Sequence, residues 1–263
     1  MKRADTHIHG NYSSDSDLDY LTLCKKAIER DYEYITFTEH YDLLESELAV
    51  WGLPPLQNYF YNLDIIKDAF PELMIAKGIE LGEPHRVMDL AQKLFGYFKP
   101  EYVIGSLHVT RSGMNVSLSI DRELSESDIT EYYEENLEMV QKGGFDTLGH
   151  LGIYKRGIGK FKCADEKHVH NLIDEIFREM VKKDICLEVN NSGFKSHIND
   201  SIPDFETLKR YKKLGGELIC ISSDSHSLEH FDRFYDKTLD NLREIGFRCT
   251  HWVQNGIFKE IMI

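Results

Sequence analysis

Seven short strand-like runs, each followed by a helix-like stretch, constrain this chain more than any other feature. Arg3–His9, Tyr34–Thr38, Leu73–Leu81, Tyr102–Ser106, Phe145–Leu148, Ile185–Val189 and Leu218–Ile221 carry β-branched and aromatic residues suited to extended backbone. Helical spacing connects them. Leu18, Leu21, Cys24, Ala27 and Ile28 share one face, with Asp17 placed to cap it. Further helices are expected over Leu56–Phe70, Arg86–Phe95, Glu126–Lys142 behind Ser125, Phe205–Leu214 and Leu228–Ile245. Val169, Leu172, Ile173, Ile176, Phe177 and Met180 make the clearest amphipathic stripe. A short Phe247–Val253 piece closes the chain. Alternation of this kind makes parallel strands joined by crossovers, in a doubly wound sheet or a barrel.

The residues at the strand ends choose between the two. His7 and His9, His40, Glu80, His108, His150, and Asp224 with His226 all fall at the C-terminal ends of successive predicted strands. A doubly wound sheet brings two or three such ends together, whereas a closed barrel gathers them all on one rim, where catalytic residues of α/β barrels converge. The expected fold is therefore an α/β, TIM-like (β/α)7 barrel in a single domain over residues 1–263. His7 and His9 lie two apart on an extended segment and so share a face. Six of the twelve histidines crowd one rim, where protonated rings would repel. Neutral imidazoles binding metal would not. His85, His168, His170, His230 and His251 fall in or beside helices or the tail and read as surface residues, as does His197 in its loop.

Composition narrows the function. Hydrophobic residues make up 41% and charged residues 29% of the 263 positions, as in a folded globular protein. No apolar run approaches the roughly 18–20 residues that span a bilayer, and the N-terminus lacks an apolar signal core, so a cytoplasmic location is expected. Five dispersed cysteines without a C-x-x-C pair suit a reducing compartment, with Cys186 and Cys220 as buried core thiols. A formal net charge of −14 disfavours nucleic acid and anionic membranes as partners.

Asp5-Thr6-His7-Ile8-His9, Thr38-Glu39-His40, Glu80, Ser106-Leu107-His108, Gly149-His150 and Ser223-Asp224-Ser225-His226 occur in this order across nearly the whole chain. Together they resemble the motif set of the PHP (polymerase and histidinol phosphatase) superfamily. The length and Asn190-Asn191-Ser192-Gly193 resemble its stand-alone histidinol-phosphatase branch. The resemblance implies a distorted seven-stranded barrel with three divalent ions (zinc, iron or manganese) on its rim. Carried over by residue, it suggests His7, His9, Glu80 and Asp224 on one ion. Glu80 would bridge to a second ion on His108 and His150, and Asp15, His40 and His226 would hold a third. Many relatives have histidine where this chain has Asp15. Glu83 rivals Glu80, but strand alternation puts Glu80 on the face of Gly78 and Gly82, with Glu83 past the strand end.

The implied chemistry is metal-dependent hydrolysis of a small phosphate ester, L-histidinol phosphate in histidine biosynthesis, by a hydroxide bridging two ions. Glu80, Asp224 and His226 would be catalytic. Cations should clamp the phosphoryl oxygens, the candidates being Lys155-Arg156 after the fifth strand and Lys195 after the sixth. Relatives favour arginine at both loops, so Lys195 would give a point charge in place of a bidentate fork. Trp51 and Tyr41 could cover the rest of the substrate. The alternatives are another PHP-type phosphoesterase, such as a phosphotyrosine phosphatase or nuclease, and a non-catalytic metal-stabilised module.

Overall fold

In the computed structural model, which describes residues 2–263 apart from Tyr97, Lys160 and Asn255, the seven strand-like runs become one parallel sheet in the order β1 to β7. The chain runs β1 (Arg3–Ile8), α1 (Tyr20–Glu29), β2 (Tyr32–Tyr41), α2 (Glu45–Trp51), α3 (Leu56–Ala69), β3 (Met74–Gly82), α4 (Pro84–Phe95) and β4 (Tyr102–Ser106). It continues with α5 (Glu126–Lys142), β5 (Thr147–Leu148), α6 (Tyr154–Gly157), α7 (His170–Lys183), β6 (Cys186–Asn190), α8 (Phe205–Lys213), β7 (Ile219–Ser222) and α9 (Tyr235–Ile245). An antiparallel hairpin, β8 (Cys249–Gln254) and β9 (Ile257–Met262), ends it.

Parallel pairing buries both faces of the strands, which is why β4, β6 and β7 are largely apolar, whereas β1 and β2 bury polar side chains such as Asp5, His7, Thr38 and Glu39 beside the rim. The sheet then curls until β7 meets β1. Asp224 N–H donates to His7 O at 3.0 Å, and His9 N–H donates to Ser225 O at 2.9 Å. Closure at the rim is thus made by the backbone of the same segments that carry the histidines. At the opposite end the hairpin plugs the barrel. Trp252 and Ile261 pack on Ala4, Tyr34 and Ala76, while Val253 packs on Tyr102 and Ile104.

Several local expectations are corrected. Asp19, not Asp17, caps α1, accepting from Thr22 N–H at 2.8 Å. The helix expected from Leu228 starts only at Tyr235, because Asp232 and Phe234 take left-handed backbone with φ of 65° and 59°. The strand expected from Phe145 shortens to Thr147–Leu148, and the closing piece gains a partner strand that lacked a clear alternating pattern in the sequence. His85 and His251 are buried rather than on the surface. His85 faces α5, its Nε2 3.2 Å from Glu135 Oε2, and His251 Nδ1 lies 3.1 Å from Ile219 O.

Candidate metal centre

Register sets the heights of the donors. β2 and β3 pair with His40 opposite Glu80, and β3 and β4 pair with Gly82 opposite Ser106, two residues before His108. Asp224 sits just past β7 in left-handed backbone, with φ 50°, a conformation that aspartate tolerates better than most residues. Gly82 has no Cβ for a reason: one would run into Asp42 Oδ1.

The nine donors form three nests. His7 Nε2 and His9 Nε2 are 2.9 Å apart, and they lie 3.8 and 3.5 Å from Asp224 Oδ1 and 3.4 and 3.5 Å from Glu80 Oε2. On the other oxygen of Glu80, Oε1 is 3.1 Å from His108 Nε2 and 2.7 Å from His150 Nε2. Farther out, Asp15 Oδ2 lies 3.4 Å from His40 Nε2 and 3.2 Å from His226 Nε2, and those two nitrogens are 3.5 Å apart. Two N/O ligands about 2.0–2.2 Å from one ion stand roughly 3–3.5 Å apart, so these separations suit shared cations. His40 joins the nests, its Nδ1 2.9 Å from Glu80 Oε2.

Tautomers test the fit independently of distance. His7 Nδ1 is 2.6 Å from buried Glu188 Oε1, to which it donates, so Nε2 is the nitrogen turned toward the other donors. Ser13 gives its hydroxyl proton to Glu39 Oε2 at 2.5 Å, so its oxygen accepts from His9 Nδ1–H at 3.2 Å. His9 thus keeps its lone pair on Nε2. Two ring nitrogens 2.9 Å apart must be bridged by a cation, either a proton on His7, whose imidazolium Glu188, Glu80 and Asp224 favour, or a metal ion that replaces it. His108 repeats the pattern, donating from Nδ1 to Asp42 Oδ1 at 2.9 Å and aiming Nε2 at Glu80. Ring N–H groups held by carboxylates are how proteins orient metal-binding histidines. The donor set fits divalent metals.

Burial would push the Glu80 and Asp224 carboxyls up, but the surrounding imidazoles outweigh it and hold both well below the usual carboxylate range. His9 is pushed down, by burial first and then by His226 and His40. Both carboxylates are therefore anionic and His9 is neutral, the forms that ligate metal.

Glu83 is turned away from the nests. Its Oε1 accepts from the backbone N–H groups of His108 and Val109 at 2.6 and 2.8 Å, which leaves Glu80 as the carboxylate among the histidines. Arg156 lines the cavity, donating to Ser192 Oγ at 2.8 Å and to Asp224 Oδ2 at 3.0 Å. Lys155 does not face it, being paired with Glu166 and Asp204 at 2.6 and 2.8 Å. Lys195 is exposed and outside the cavity lining, though near enough to Asp224 and Arg156 to feel their charges. Tyr41 is buried against Phe95, away from the opening. Trp51 does line it, its indole N–H donating to Glu47 Oε2 at 3.0 Å. The cavity over the donors is small, about 70 Å³.

From the sequence alone Glu188, Asp42 and Glu47 receive no role, and Glu39 enters only as part of the Thr38-Glu39-His40 motif. A signal existed for the first. Glu188 stands between Leu187 and Val189 in a fully buried strand, where an unpaired carboxylate would be costly. It binds His7 Nδ1, Ser222 Oγ and His150 N–H together.

Similarity to known proteins agrees with this geometry. The chain is 27% identical over 257 residues to histidinol-phosphatase of Lactococcus lactis, covering 94% of this chain and 93% of that protein. It is 23% identical over 246 residues to a Thermotoga maritima protein named "Probable histidinol-phosphatase", covering 92% of each. The crystal structure of the Lactococcus lactis histidinol phosphate phosphatase, complexed with zinc, L-histidinol and phosphate, superposes with a TM-score of 0.85 at 22% identity, covering 98% of this chain and 100% of that one. The PHP domain matches residues 5–192, a span that holds seven of the nine rim donors, and the chain belongs to the PHP family.

Proposed function

We propose that this chain is a metal-dependent phosphomonoesterase that hydrolyses L-histidinol phosphate to L-histidinol and phosphate. The observation that carries the reading is the convergence of nine His, Glu and Asp donors in three nests around a cavity that Arg156 also lines. In this reading His7, His9, Glu80 and Asp224 hold one divalent ion, Glu80, His108 and His150 a second, and Asp15, His40 and His226 a third. Zinc is favoured by the ligands named for the Lactococcus lactis structure; iron and manganese suit the same donors. Bound ions would lower the pKa of water and draw charge from the phosphoryl oxygens.

The chain's own residues do the rest. Arg156, its Nη1 tied to Ser192 and Asp224 and its Nη2 to Ser117 O, is held at the cavity wall, where its guanidinium would attract the phosphoryl oxygens. Glu188, Asp42 and the Ser13–Glu39 pair keep the imidazoles turned inward, each with Nε2 toward the other donors. Trp51 and Glu47 flank the place where the alcohol portion would leave. We assign the whole of residues 1–263 to one catalytic domain and the activity to histidine biosynthesis in the cytoplasm. Among the described residues no helix is long and apolar enough to cross a membrane. The net charge of −14 speaks against a nucleic-acid substrate.

Phosphate release from L-histidinol phosphate, a phosphotyrosine peptide and an oligonucleotide, with metal content measured on the same sample, tests the proposal. Release should be fastest from L-histidinol phosphate and lost in His7→Ala and Asp224→Ala. A fully metallated protein that leaves that ester intact but cleaves another would overturn the substrate and keep the hydrolase. No cleavage by the fully metallated protein would overturn both.

A further inference from the structure

The hairpin that plugs the far end of the barrel carries a second set of ligating side chains. Cys249 and His251 are two apart on β8, and Glu260 on β9 is paired directly with His251. All three therefore share one face of the hairpin. Their ligand atoms lie within 4.8 Å of one another. Cys249 Sγ is 3.8 Å from His251 Nε2. A sulfur about 2.3 Å and an imidazole nitrogen about 2.0 Å from one tetrahedral zinc stand roughly 3.5 Å apart, so closing this pair needs a shift of only a few tenths of an ångström.

A second observation points the same way. Buried His251 gives its Nδ1 proton to Ile219 O, at 3.1 Å, and so aims a bare Nε2 at the thiol. A backbone carbonyl holding the far nitrogen is the usual support of a metal-binding histidine. Glu260 is exposed and free to swing, and Cys249 is half-buried. We propose that Cys249, His251 and Glu260 form a structural site for a zinc-like divalent ion, with water as fourth ligand, separate from the rim. The Cys249 thiol would release its proton to solvent as the sulfur–metal bond forms. The ion would cross-link the two strands of the hairpin, which the His251 Nδ1–H bond to Ile219 O already ties to the start of β7, the strand whose other end leads to Asp224 and His226.

The rim offers only nitrogen and oxygen donors, so a sulfur signature separates the two sites. The full chain produced in cobalt-supplemented medium should show a near-ultraviolet thiolate-to-cobalt charge-transfer band. That band should vanish in Cys249→Ser, fall at least tenfold in His251→Ala, and persist in the rim variant His9→Ala. Zinc added to metal-stripped wild-type protein in excess over the three rim sites should also protect Cys249 from alkylation, read by mass spectrometry. A wild-type protein with no thiolate band, and with Cys249 alkylated equally with and without zinc, overturns the proposal. The short contact is then an S–H to imidazole hydrogen bond only.

Discussion

Glu188 shows how much of a metal centre lies outside its ligands. One buried carboxylate orients His7, accepts from the backbone of His150 and binds Ser222. Replacing it by glutamine keeps the shape but puts an amide N–H where an acceptor is needed, which favours the wrong tautomer of His7. Glu188→Gln should lose roughly 10–100-fold in metal affinity or turnover with the fold intact; metal content, kcat and circular dichroism on one preparation check it. Lys195 offers a pH test. Desolvation first, then Arg233 and Arg156, working against Asp224, pull its ammonium down to about 8. It is a cation below that pH and neutral above it. If it attracts the phosphate, KM should rise as pH climbs through 8, and Lys195→Arg should remove that limb of the profile. A wild-type KM that stays flat through this range would exclude the role. Lys195 and Arg156 were both legible from the sequence as loop cations, but only packing shows that Lys155 beside them is consumed by Glu166 and Asp204.

At the scale of elements, caps and periodicity spoke for themselves. The expected α5 matches the observed Glu126–Lys142, behind a Ser125–Asp128 capping box, and α7 buries Ile173, Ile176, Phe177 and Met180 of the expected stripe. Such signals are local, one hydrogen bond or one helix face at a time. The α1 start was misplaced because Asp17 and Asp19 are equivalent as residue types, and only the backbone decides which one reaches a free N–H. Asp19→Ala should cost about 1 kcal/mol in urea denaturation and leave kcat unchanged. The hairpin was half missed, since β9 alternates poorly and exists because β8 and the barrel floor accept it. Trp252 packs on Tyr34 with ring centroids 4.1 Å apart and the rings tilted by 40°. Trp252→Ala should destabilise the protein by about 3–5 kcal/mol, measured as a lower denaturation midpoint.

For the whole molecule, closure and charge act together. The rim holds Asp15, Glu80, Asp224 and Glu188 close to one another, so removing divalent ions should weaken the fold as well as abolish turnover. A chelator is expected to lower the melting temperature, and added zinc or manganese to restore it, each bound ion contributing about 4 kcal/mol at a thousandfold excess over its Kd. A melting temperature unmoved by chelation would show that the barrel closes without them. The sequence by itself determined the strand–helix alternation, the gathering of the strand-end histidines, Glu80 and Asp224 on one rim, and hence the barrel, because alternation and apolar periodicity are properties of short segments. Only the tertiary structure decided the tautomers of the histidines, the retreat of Glu83, the burial of His85 and His251, and the service of Glu188, Asp42 and Glu39. Each of these depends on what a residue far away in the chain places within about 3 Å, the reach of a hydrogen bond.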